Sequence, residues 1–287
     1  MAVEAAPAGT ASREDPRLSE DVVCIEPGCV AVLDGASVPE GIGTGCCHGT
    51  AWYTRQLAAH AAALAQNPRF GLDEALGRAI GAVRAAHDST CDLDNPMSPS
   101  ATVALARWNS ECLQWLVLAD ALVLVERTDD TIEVVQDLRD DALTPELSAR
   151  ARRHTPGDAR DEARWRDHTV AQRAARNRPG GSWIARSEPE AAGHALTGSV
   201  DLRRVRSFAV MSDGAARLVT PFALTDWNGL AHTLREEGPA GLLEQVRTAE
   251  GTDGDAARWP RVKRHDDAAV VHCAPVRPRE RARRRDH

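Results

Sequence analysis

Five acidic residues lie at or inside apolar stretches of this chain. Asp34 follows AVL, Asp213 follows AVMS, Asp266 precedes AAVV by one residue, Asp120 interrupts LVLA and LVLV, and Asp21 precedes VVCI. An unpaired charge in such a place is costly. One or two could be turn residues satisfied by backbone amides; five are harder to explain that way. Asp34 and Asp213 are each followed by glycine, which lets a chain leaving a strand bend so that the carboxylate and nearby carbonyls face a common ion. Asp253-Gly254 has no apolar strand before it and reads as an ordinary turn. An oxygen-only ligand set suits Mg²⁺ or Mn²⁺ better than zinc. Two such ions about 3.5–4 Å apart would clamp an attacking water and a phosphoryl oxygen.

The elements that must position these residues can be read from apolar patterning. VVCIE (22–26) and VAVLDG (30–35) predict two strands joined by a turn at Pro27-Gly28, with a helix beyond the GIGTG link and a second helix over 72–87. Strands follow in ATVALARWN, in LQWLVLADALVLVER (two strands broken near Asp120) and in TIEVVQD. Residues 138–180 are charged and Arg-rich, with one or two exposed helices expected there. GSWIA and RSFAVMSDG restore strand character, two helices fill 226–250, and HDDAAVVHCAPV closes the chain. This order predicts one layered α+β domain, two packed sheets with helix pairs outside. The expected division is a loose segment over 1–17, the domain over 18–276 and an Arg-rich tail over 277–287.

The succession SEDVV, VLDGAS, PSATVALARW, LADALVLV, MSDGAARLV and DDAAVV resembles the metal-dependent type-2C protein phosphatases, the PPM superfamily, across about residues 18–272. The resemblance implies a four-layer αββα sandwich of two antiparallel sheets, a dinuclear Mn²⁺ or Mg²⁺ site between them and a water nucleophile. Asp34 then corresponds to the bridging ligand, Gly35 contributes its carbonyl, and Asp213 and Asp266 hold the other metal. Glu20 and Asp21 fall where the family has its first acidic pair, and Asp120 where it has a carboxylate for a third, weaker metal. The insert about 138–180 falls where such proteins carry a flap. Arg17 is the nearest match to the phosphate-binding arginine, about one residue out of place. The family's Gly-Asp-Ser or Gly-Asp-Thr is replaced by Ala119-Asp120-Ala121, and its histidine after the first Asp-Gly is absent, leaving His48 as a candidate catalytic or phosphate contact.

The expectation is a metal-dependent phosphatase acting on phosphoserine or phosphothreonine protein. The alternatives are a phosphatase of a small metabolite and a non-catalytic binding or regulatory module of the same fold. The formal charge of −7 gives no support to nucleic acid as a partner, and the basic run 277–287 reads as a solvated tail. No secretory leader or membrane span is visible, so a cytoplasmic, mostly reduced protein with no membrane partner is expected. Cys273 and Arg279 have the Cys-x5-Arg spacing of cysteine-dependent phosphatases, but Pro275 and Pro278 remove N–H groups that such a phosphate loop needs. Cys46, Cys47, His48, His87 and Cys91 lack the paired Cys-x2-Cys knuckles of zinc modules and read as thiols at helix ends. GIGTG is too short for a dinucleotide fingerprint, and GTDGDAA lacks the acidic ladder of a calcium loop.

Overall fold

The structure, a computed structural model, describes residues 1–8, 19–39, 41–139, 159–261 and 263–276. Among these residues ten strands run in chain order: β1 Ala2–Ala8, β2 Val22–Glu26, β3 Cys29–Gly35, β4 Ala101–Trp108, β5 Cys112–Leu118, β6 Leu122–Arg127, β7 Ile132–Gln136, β8 Leu196–Asp201, β9 Val205–Met211 and β10 Ala268–Ala274. The helices are α1 Thr50–Ala65, α2 Leu72–His87, α3 Ala159–Ala175, α4 Trp227–Glu236 and α5 Gly238–Thr252, with short 3-10 turns at Pro189–His194, Leu202–Arg204 and Asp213–Ala216. Among the described residues the strands form two five-stranded antiparallel sheets, β1-β10-β9-β6-β7 and β2-β3-β4-β5-β8.

The strands are apolar on both faces because each sheet is covered on both. In β3, Val30 and Val32 join the layer between the sheets, while Cys29, Ala31 and Leu33 pack under α1 and α2. In β9, Phe208 and Val210 face inward, and Ala209 and Met211 pack under α4 and α5. The period-2 alternation of a strand produces this division, and the result is the αββα sandwich expected from the sequence.

Two expectations are corrected. Residues 2–8 are not loose: β1 pairs with β10 from Ala2↔Ala274 to Ala8↔Ala268. Its Pro7 has no N–H to donate, which an edge strand tolerates. GSWIA makes only a single bridge, Ala101↔Ala185; the edge strand beside β5 is β8 instead. Glycine at position 198 is required there, because a Cβ would meet the Trp115 ring at 2.5 Å. Within the charged insert α3 is a long helix, and 140–158 lie outside the described residues, as do Arg17 and the 277–287 tail.

Candidate metal centre and cleft

Strand parity brings the carboxylates together. The β2/β3 ladder pairs Val22 with Leu33, so Asp21 and Asp34 stand opposite one another on the next rung. Both continue the inward-facing series of Val23, Val30 and Val32. Ser212, two residues beyond inward-facing Val210, donates its hydroxyl to Asp21 Oδ2 at 2.7 Å and thereby ties the two sheets. Asp213 opens the 3-10 turn that follows β9. The amide of Glu20 donates to Asp267 Oδ2 at 2.9 Å, and that of Gly35 donates to the Glu20 carbonyl at 3.2 Å, fastening the start of β2 to both β3 and β10.

Two glycines allow this closeness. A Cβ on Gly35 would meet Thr50 Cγ2 at 2.6 Å and Glu20 Cβ at 2.8 Å. A Cβ on Gly214 would meet the Asp267 carbonyl oxygen at 2.1 Å. Gly214 therefore serves close approach rather than a left-handed bend.

The electrostatics would favour a bound cation. Burial, followed by the hydrogen bond from Ser212 (which acts the other way) and the charge of Asp266, leaves Asp21 pushed up to about 8. Burial and then the charges of Asp21, Asp213 and Asp266 push Asp34 well above the carboxylate range. Asp213 is raised by burial and by Asp266. Asp34 is within hydrogen-bonding reach of both Asp21 and Asp213, and Oδ1 of Asp21 and Oδ1 of Asp213 are buried with no partner among the described residues. Like charges this close need protons or a cation between them. Asp266 differs: burial raises it, but Lys263 and Arg217 outweigh burial and hold it ionised. Lys263 Nζ lies 2.7 Å from its Oδ1 and an Arg217 nitrogen 2.9 Å from its Oδ2. Arg217 is anchored in turn on buried Glu250 at 2.6 Å. The donor set of Asp21, Asp34, Asp213, Asp266 and the Gly35 carbonyl fits a hard divalent cation.

Asp34, Asp213 and Asp266 line a cleft of about 660 Å³, with Asp21 buried beside Asp34. Asp120 lines it from the β5–β6 turn, where Ala119 takes a φ of 64°, a left-handed conformation that favours glycine. Cationic side chains line the same cleft, among them Arg173, Arg217 and Lys263. Arg173 of α3 is almost fully buried; it donates to the carbonyls of Ala36 and Ser37, and its Nη1 has no partner among the described residues. Burial lowers it to about 10. Arg173 and Lys263 escaped the sequence reading. A lone arginine among many in a charged insert carries no distinguishing signal, whereas Lys263, three residues before Asp266, could have been noticed by spacing.

His48 is corrected as a catalytic candidate. It stands outside the cleft lining, stacks on Trp52 with ring centroids 4.3 Å apart and faces Cys46, Cys47 and Cys91. Gly49, directly after it, is the N-cap position of α1. Cys273 is buried within β10 and pushed up to about 12 by burial, so it offers no thiolate for phosphate chemistry. Asp253 is more than a turn residue: it is buried at the end of α5, 2.6 Å from Arg261.

No family model matches the sequence, and no curated protein does. Solved structures do. The serine/threonine phosphatase PstP/Ppp of Mycobacterium tuberculosis matches with a TM-score of 0.55 at 18% identity, over 95% of this chain and 97% of that one. The catalytic domain of PstP in complex with two manganese ions matches at 0.53 and 16%, over 95% and 97%. Stp1 of Staphylococcus aureus matches at 0.54 and 10%, over 95% and 94%. The chain has the fold of these PPM-type serine/threonine phosphatases. No helix among the described residues is long and apolar enough to cross a membrane.

Proposed function

We propose that the chain is a divergent PPM-family, metal-dependent phosphatase of phosphomonoesters. The observation that carries this reading is the convergence of buried Asp21 with Asp34 and Asp213 of the cleft lining, with two buried carboxylate oxygens lacking partners among the described residues. Mn²⁺ or Mg²⁺ held by Asp21, Asp34, Asp213, Asp266 and the Gly35 carbonyl supplies Lewis acidity and a water of lowered pKa when bound. Asp120, at the cleft rim, is the candidate for a further, weaker ion, and Glu20 supports the site through its backbone. Arg173 Nη1 receives a phosphoryl oxygen, since a buried guanidinium donor without a partner is costly until an anion arrives. The Lys263 ammonium adds positive charge beside Asp266. The residues of the cleft thus bind and orient the ester.

A phosphoserine or phosphothreonine protein is the proposed substrate class, a phosphorylated metabolite the alternative, and a cytoplasmic location accords with both. The test is p-nitrophenyl phosphate hydrolysis with Mn²⁺, Mg²⁺ or chelator, beside Asp34→Ala and Asp213→Asn. Metal-dependent turnover falling at least about 100-fold in both variants is expected. Equal turnover in chelator, or in Asp213→Asn, would overturn the reading. One observation favours a non-catalytic module of the same fold: Lys263 and Arg217 already neutralise Asp266 without a metal. That reading requires partner capture that survives loss of the carboxylates.

A further inference from the structure

A second set of ligand atoms gathers just before the N-terminus of α1 and around the C-terminus of α2, outside the lining of the acidic cleft. One ligand atom each from Cys46, His48, His87 and Cys91 lies within 4.8 Å of all the others. Cys46 Sγ is 3.4 Å from Cys91 Sγ, 3.7 Å from His48 Nδ1 and 3.7 Å from His87 Nδ1; Cys91 Sγ is 3.5 Å from His48 Nδ1. Zinc bonds of about 2.3 Å to sulfur and 2.0–2.1 Å to nitrogen give tetrahedral edges of roughly 3.8 Å between sulfurs and roughly 3.6 Å between sulfur and nitrogen. The three sulfur–nitrogen separations match those edges, and the 3.4 Å between sulfurs is about 0.4 Å short of one. A disulfide would instead bring two sulfurs to about 2.05 Å. From these four side chains we infer that the chain binds a structural Zn²⁺ in a closed Cys2His2 site, formed by Cys46-x-His48 and His87-x3-Cys91.

The surroundings suit such an ion. Trp52 covers both imidazoles, with ring centroids 4.3 Å from His48 and 5.1 Å from His87. The His48 amide donates to Cys46 Sγ at 3.4 Å, and Thr90 Oγ1 lies 3.7 Å from Cys91 Sγ, contacts of the kind that orient thiolate ligands. Asp92 donates its amide to the Gly45 carbonyl at 2.8 Å, and Gly45 has a φ of 72° where a Cβ would meet the Asp92 carbonyl at 2.8 Å. The two ligand-bearing segments are therefore already in backbone contact. Cys47 is exposed and lies outside the four, although its sulfur is 3.5 Å from His48 Nδ1.

The ion would fasten the loop before α1 to the end of α2. That loop begins at the Asp34-Gly35 strand end, and Gly49 precedes α1 without a capping side chain. Thr50, its first residue, packs directly on Gly35. A soft-ligand zinc would fix the same stretch of chain whose other end bears the hard-ligand site. The inference stands whether or not the cleft hydrolyses phosphate.

Elemental analysis and cobalt spectroscopy on the full chain, purified under reducing conditions, test it. About one zinc per chain, surviving a brief EDTA wash, is expected. Co²⁺ added to the zinc-stripped protein should give intense tetrahedral d–d bands with thiolate-to-metal charge transfer. The oxygen ligands of the cleft cannot produce that charge transfer. Cys91→Ser should lose both signals while Cys47→Ser keeps them. Absence of zinc together with absence of thiolate-to-cobalt bands in folded wild-type protein would overturn the inference, and this outcome needs no variant to fold. Charge-transfer bands retained in Cys91→Ser but lost in Cys47→Ser would also overturn it.

Discussion

At the scale of single residues, the cleft divides its carboxylates into two kinds. Asp21, Asp34 and Asp213 are raised by burial and mutual repulsion, whereas Asp266 carries Lys263 and Arg217 on its two oxygens. Lys263 both competes for Asp266 and repels an incoming cation. Lys263→Met is therefore expected to tighten Mn²⁺ binding by roughly tenfold, about 1.4 kcal/mol, in calorimetric titration; weaker binding would mean that Lys263 leaves Asp266 when the ion enters. Arg173 offers the complementary test on the substrate side. Arg173→Ala should raise KM for p-nitrophenyl phosphate by about tenfold or more with a smaller change in kcat, and lysine should rescue poorly because it lacks the fork that grips two carbonyls and an anion together. An unchanged KM would remove Arg173 from the phosphate site. Asp34, Asp213 and Asp266 were legible in the sequence because a carboxylate beside an apolar strand is conspicuous. Arg173 was not, since only the packing of α3 distinguishes it from its neighbours.

Elements place these groups through contacts that leave little room. Gly214 sits against the Asp267 carbonyl, so Gly214→Ala must separate the turn after β9 from the start of β10. Loss of about 1–3 kcal/mol and weakened Mn²⁺ binding are expected together, by denaturation and titration. A loss of stability with metal affinity intact would show that the turn does not set the site. The loop over 253–261 is held by Asp253, which accepts from the amides of Arg258 and Trp259 and pairs with Arg261. Burial raises Asp253, but these hydrogen bonds outweigh it and hold the carboxyl below its usual 3.8. Such a depressed group stabilises the fold above the unfolded-state value and ceases to do so as pH falls through the folded one. Asp253→Asn should thus cost about 3–5 kcal/mol at neutral pH, as loss of one partner from a buried pair does, and the gap from wild type should narrow in urea titrations below about pH 4. A gap independent of pH would assign the cost to packing. The sequence pattern predicted most strands because their runs are apolar on both faces. It did not predict β1, an Ala-rich segment with a proline, or β8, which contains Gly198: edge strands need little apolar periodicity, and their pairing is decided by distant partners.

The whole molecule places its chemistry at the ends of strands whose middles form a rigid apolar layer. Phe208 lies in that layer, fully buried and edge-on to Trp108 with centroids 5.5 Å apart. Asp213 follows it by five residues, about 16 Å at roughly 3.3 Å per residue. Truncation to Phe208→Ala should cost about 3–5 kcal/mol. Mn²⁺ at a hundred times its Kd should stabilise the chain by about 2.7 kcal/mol if it binds only the folded state. Effects separated by more than about 7–10 Å without shared partners add to within about 0.5 kcal/mol. Unfolding wild type and Phe208→Ala with and without Mn²⁺ therefore closes a cycle in which the metal increment should be the same for both proteins. A smaller increment in the variant would mean that the strand ends depend on how the two sheets pack, so that the site is formed by the whole sandwich rather than by its own turns and ion pairs.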